Sequence, residues 1–101
     1  MIIYEVNLTI EPAIATDFRQ WLQKHINDML ALDCFYKAAI FEKEAQGNES
    51  AIEFCTHYYT ASRAQLDIYF DQHSAAMRAD GIQRFGDQFT ATRRILRAFP
   101  E

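Results

Sequence analysis

The chain has 101 residues, half of them hydrophobic and 14% aromatic, and a formal net charge of -4. That length supports one core only, because a second could not bury enough apolar surface to offset the entropy of ordering it, so residues 1–101 are expected to form a single domain. The acidic balance argues against nucleic acid as a partner, since phosphates need clustered Lys and Arg, and no run of about 18 apolar residues exists that would cross a membrane.

Residues 2 to 10 alternate Ile2, Tyr4, Val6, Leu8 and Ile10 with Ile3, Glu5, Asn7 and Thr9, which is the period of a strand with one strongly apolar face. The opening MIIYEVNLTI has neither a basic region nor a cleavage site, so the expected compartment is the cytoplasm. Pro12 then stands where a helix tolerates proline, in the first turn. Ile14, Phe18, Trp21, Leu22, His25 and Met29 follow at three- and four-residue spacing, predicting a helix from about Pro12 to Leu30. Strand character returns from Cys34 to about Glu44 and again from about Ser50 to Thr60. With a turn near Gly47 and Asn48 the two runs form a hairpin in which Cys55 lies opposite Ile40 or its neighbour. Cys34 and Cys55 are then on the order of 20 Å apart and are expected to stay reduced.

Ser62 with Gln65 fits a capping box, and Leu66, Tyr69, Phe70, His73 and Met77 form the stripe of a second helix that Gly81 would close. A short turn from Ile82 to Phe85 follows, Gly86 breaks it, and Phe89 to Phe99 alternates as a last strand before Pro100. The stretch from Gly81 to Arg94 is the least generic part of the chain, with its glycines, acid, arginines and the aromatic pair Phe85 and Phe89. In R-F-G-D, Arg84 and Asp87 are expected to clamp the loop while the two phenylalanines enter the core.

The order β-α-β-β-α-β predicts an α+β fold: a four-stranded antiparallel sheet with two helices on one face. The other face is bare, and such faces either meet water or bury themselves against a partner. Here it would carry Ile3, Glu5 and Asn7 beside Glu53, Cys55, His57 and Tyr59, a mixed surface suited to a homodimer interface. Arg93 and Arg94 are adjacent, so a strand turns them to opposite faces; the one on the bare face would pair Glu5 or Glu53.

The residues I-I-Y-E-V-x-L-x-I, W-L-x-x-H-I and above all R-x-D-G-I-x-R-F-G-D-x-F-x-A-x-R-R resemble a small bacterial family described only as a domain of unknown function. That family is similar to the dimeric α/β barrel superfamily, which pairs two ferredoxin-like sheets and includes antibiotic-biosynthesis monooxygenases, haem-degrading oxygenases, mutarotases and muconolactone isomerases. The resemblance implies the ferredoxin-like fold and the dimer, and no activity, because one scaffold hosts unrelated chemistries. The haem-degrading members use an Asn, a Trp and a His where alignment puts Val6, Tyr69 and a position near Ala79, so the resemblance does not extend to haem.

His25 and His73 both fall on helix stripes that face the sheet, so the two rings are candidates for acid-base work in one cavity, with His57 a third. Hydrogen-bonded core histidine is the simpler reading of each. Trp21, Tyr69 and the Tyr58–Tyr59 pair supply rings for a pocket wall, and Arg93 or Tyr59 could hold an aromatic or carboxylate substrate, although packing alone also accounts for such rings. Cys55 reads as a small buried hydrophobe. The chain has no CxxC or HxxxH, its three His lie on three elements, and its glycines follow a helix, so neither a metal nor a nucleotide cofactor is expected. The leading expectation is a homodimeric module that binds a small molecule between helices and sheet. The alternatives are a cofactor-free monooxygenase- or isomerase-type enzyme and a ligand-sensing regulatory domain.

Overall fold

The computed structural model describes residues 1–47 and 50–100. Strand β1 (Ile2–Ile10) leads through a short 3-10 turn (Pro12–Ile14) into α1 (Ala15–Ala31). Strands β2 (Lys37–Glu42) and β3 (Ile52–Thr60) form the hairpin, helices α2 (Arg63–Gln72) and α3 (Ser74–Phe85) follow, and a second 3-10 turn (Gly86–Gln88) delivers β4 (Phe89–Arg97). All pairings are antiparallel, in the order β2-β3-β1-β4, which is the ferredoxin-like arrangement expected from the alternating periods. Among the described residues no helix is long and apolar enough to cross a membrane.

The core forms where the even-numbered side chains of β1 meet the helices. Ile2, Tyr4, Leu8 and Ile10 pack against Phe18, Leu22, Ile26 and Met29 of α1, with Leu66 and Tyr69 of α2 and Phe85 of α3 completing it. In α1 the fully buried seam is Phe18, Leu22, Ile26 and Met29; Trp21 and His25 flank it and remain partly exposed. That flanking position is what makes them available to a cavity. Phe85 is buried and Phe89 packs against the same core, as the alternation of the loop requires.

The hairpin follows the expected pairing over shorter strands. Lys37 pairs with Tyr59 and Phe41 with Cys55, so Cys55 faces the neighbour of Ile40, as expected, while both strands are shorter than their apolar runs. Gly47 takes a left-handed φ of 66° at the turn; Asn48 lies outside the described residues. Cys34 is buried in the core while Cys55 lies on the sheet, and neither forms a disulfide.

The second helix is two helices. The Ser62 hydroxyl accepts from the Gln65 amide at 3.2 Å, so the start is as expected, but the helix breaks at His73 (φ -128°, ψ -30°). The Ser74 hydroxyl donates to the Phe70 carbonyl at 3.0 Å, a back-bond to the preceding turn of the kind that bends helices. The chain then runs helically through Gly81, which closes nothing. A Cβ on Gly81 would lie 3.1 Å from Trp21 Cη2 and 3.3 Å from Phe89 Cζ, so glycine serves the close approach of those rings. The left-handed terminus is Gly86, with φ 58°. Arg84 does not clamp the loop through Asp87 in the expected way; its guanidinium lies over the Phe85 ring, 5.5 Å from the centroid.

Candidate functional site

Between the helices and the sheet lies a cavity of about 240 Å³. Its floor is the inward face of β1 and β3, with Tyr4, Val6, Thr56 and Tyr58; β4 adds Ala91 and Arg93. Trp21, His25 and Met29 of α1 form one wall, and Met77, Arg78, Gly81 and Ile82 of α3 form the other, with Tyr69 of α2 behind. Size and lining suit a small molecule held by apolar contact and oriented by a few polar atoms.

Those polar atoms have distinct states. The His25 ring stacks on Trp21 at 4.6 Å and 18°, and Trp21 Nε1 donates to Asp80 Oδ2 at 3.2 Å. Burial holds the His25 imidazole below its ordinary pKa, against the opposing pull of Asp80 and Asp28, so the ring is neutral at neutral pH. Its Nδ1 is buried without a hydrogen-bond partner. A buried polar atom left unpaired is costly, and this one belongs to a residue of the cavity wall. Burial also pushes the Tyr58 phenol up to about 12 and raises that of Tyr69 further, so both stay protonated and able to donate. Arg78 Nη2 donates to the Tyr4 hydroxyl at 3.3 Å, and the exposed Arg93 shares the rim with Arg78, giving the cavity a cationic edge.

Four expected residues therefore meet in this cavity: Trp21, His25, Tyr69 and Arg93. Three do not. His73 caps the junction of α2 and α3 and is absent from the cavity wall, because the helix break ends the stripe on which it was placed. His57 and Tyr59 lie on the other face of the sheet: the pleat sends Tyr58 inward and its two neighbours outward, dividing what reads in sequence as one aromatic patch. Arg78 was missed. It is adjacent to the stripe residue Met77 and one turn before Gly81, but a solvated arginine is the ordinary occupant of such a position.

The helix-free face is organised around Glu5. Its side chain is 4% exposed and Oε1 accepts from Asn7 Nδ2 at 2.8 Å and Arg94 Nε at 2.7 Å, while Oε2 meets His57 Nε2 at 2.9 Å. Burial by itself would raise the carboxyl pKa, but the hydrogen bonds from Asn7, His57 and Arg94 outweigh it and hold the group at about 2. Arg94 is thus the arginine that pairs with Glu5, and Arg93 is the one turned toward the helices. The convergence of Glu5, Cys55 and His57 has no sequence signature, because strand pairing and not spacing brings them together.

No curated protein matches the chain. Solved structures do. A protein from Deinococcus radiodurans, provisionally described as an antibiotic biosynthesis monooxygenase, is 14% identical over 97% of this chain and 92% of its own, with a TM-score of 0.73. SnoaB, a cofactor-independent oxygenase from Streptomyces nogalater, is 11% identical over 99% of this chain and 98% of its own, with a TM-score of 0.64. A dimeric ferredoxin-like protein from an uncultured marine organism is 11% identical over 99% and 97%, with a TM-score of 0.67. At such identities the likeness establishes the fold alone. Residues 1–99 match the model of a domain of unknown function, and the chain belongs to that family, DUF4286.

Proposed function

We propose that the protein is a homodimer in which two copies pack their helix-free sheet faces together, each subunit binding a small, flat, acidic aromatic molecule in its helix-side cavity. One observation carries the ligand reading: an aromatic cavity lined by Trp21, His25, Tyr58 and Tyr69 opens on a rim that holds Arg78 and Arg93. Rings of Trp21 and Tyr69 would sandwich or edge the ligand, and a guanidinium would take its carboxylate or phenolate. The dimer reading is supported by the dimeric ferredoxin-like relative and by Phe41, 53% exposed on the helix-free side of β2. Two free thiols suit a cytoplasmic setting, and the named sources of similar structures are bacteria.

Thermal-shift titration with small aromatic carboxylates tests the cavity. A ligand at 100 times its Kd stabilises the native state by about 2.7 kcal/mol, and Arg93→Ala, at an exposed position, should lose that shift while keeping the unliganded Tm. No stabilising ligand, or an equal shift in the variant, would sink the reading. Light scattering at micromolar concentration tests the dimer; a monomer there refutes it.

A second reading is favoured by the state of His25. A neutral imidazole lining the cavity can act as a general base, so the cavity would support cofactor-free oxygenase or isomerase chemistry by taking a proton from an acidic aromatic substrate. Turnover abolished by His25→Ala, with ligand binding retained, would separate enzyme from binding module.

A further inference from the structure

On the helix-free face, the antiparallel register sets Glu5 directly opposite His57 and Asn7 opposite Cys55. Side chains of one face in neighbouring pairs lie within reach of each other, so carboxylate, imidazole and thiol converge. One ligand atom from each of Glu5, Cys55 and His57 lies within 4.8 Å of the other two, with Glu5 buried and its partners half-buried. We propose that these three residues form a binding site for a divalent cation of the zinc class.

The donor set selects the ion. A thiolate and an imidazole with one carboxylate suit zinc or cobalt, whereas magnesium and calcium take oxygen alone. Around a tetrahedral zinc the ligand atoms stand roughly 3.3–3.8 Å apart, given metal–ligand bonds of about 2.0–2.3 Å. Glu5 and His57 are closer than this and would part by under about 1 Å as the ion enters between them, while the Cys55 sulfur swings in. The fourth position is left to solvent or another ligand atom.

The carboxylate is already oriented for the task. Asn7 and Arg94 both hold Oε1, so Oε2 is the oxygen directed at His57, which is how outer hydrogen bonds prepare a metal ligand. The Cys55 thiol gives up its proton to solvent as the sulfur–metal bond forms, and the proton that His57 Nε2 shares with Glu5 moves to Nδ1 or to solvent, so one proton is released per ion from a neutral imidazole and two from a charged one.

Cobalt titration of the full chain after treatment with a chelator tests the site. We expect one cobalt per chain, a thiolate-to-cobalt charge-transfer band in the near ultraviolet and strong visible bands of a four-coordinate ion, all lost on adding zinc. Cys55→Ser should abolish the charge-transfer band, Cys34→Ser should keep it, and Asn7→Ala, which only positions Glu5, should weaken binding about 10-fold. No charge-transfer band at saturating cobalt, or a band that survives Cys55→Ser, overturns the site. X-ray absorption of the zinc-loaded wild type decides the matter even where a variant fails to fold: one sulfur at about 2.3 Å supports the site, and a shell of nitrogen and oxygen alone refutes it.

Discussion

The two faces of the sheet are made from alternate residues of the same strands, yet they treat polarity in opposite ways. Toward the helices, polar atoms stand around a cavity with one of them, Nδ1 of His25, left unpaired. On the far side the central charge, Glu5, is matched by Asn7, His57 and Arg94. A buried polar atom without a partner costs free energy until something pairs with it, whereas a matched charge fixes geometry and tolerates burial. The helix side thus keeps a cavity and an unpaired buried atom, whereas on the far side the buried carboxylate is matched on both oxygens.

The sharpest way to break it is to damage each face and compare the losses. Phe18→Ala, at a residue with no exposure, should cost about 3–5 kcal/mol in urea denaturation, because the helix face carries the core. Glu5→Gln should cost less, about 1–3 kcal/mol, by leaving the half-buried Asn7 and His57 and the exposed Arg94 poorly matched to the buried side chain at position 5. Equal losses would mean that the far face contributes as much to the monomer fold as the core does.

Acid should expose the same difference. The Glu5 carboxyl sits at about 2 in the folded protein against 4.5 ordinarily, so its contribution is fully present above pH of about 4.5 and is lost as pH falls toward 2. The urea midpoint of the wild type should therefore fall across that window more steeply than that of Glu5→Gln. Parallel curves would show that the network does not hold the carboxylate in its ionised form. Arg94→Ala should cost only about 0.5–1 kcal/mol, since solvent screens a guanidinium whose side chain is 67% exposed. Phe41→Glu should shift the sedimentation coefficient from dimer to monomer with little change in the far-ultraviolet spectrum.

The smallest expected stability effect is at Gly81. Alanine there improves helix propensity by about 1 kcal/mol, while its Cβ presses on Trp21 and Phe89. The two terms oppose each other, so net stability should move by less than about 1 kcal/mol, yet Trp21 should be displaced and ligand affinity reduced. Unchanged Trp fluorescence and unchanged binding would show that the close approach of glycine to the indole is not what shapes the cavity.

What the sequence by itself determined was the order of elements, the apolar face of each, and the opposite orientation of Arg93 and Arg94. These follow from periods of 2 and 3.6 residues, which are local properties of the backbone. The membership of the cavity was only partly legible. Trp21, His25 and Tyr69 stood on stripes, but the break at His73 depends on how the Ser74 hydroxyl competes with the helix, and it removed one histidine from the set. Arg78 became a rim residue only once α3 was laid against the sheet. The Glu5 cluster lay further from reach: Glu5 and Cys55 are fifty positions apart and meet because β1 and β3 pair in one register among several that the alternation allows. Local periodicity decides which way a side chain points, and only tertiary structure decides what it points at.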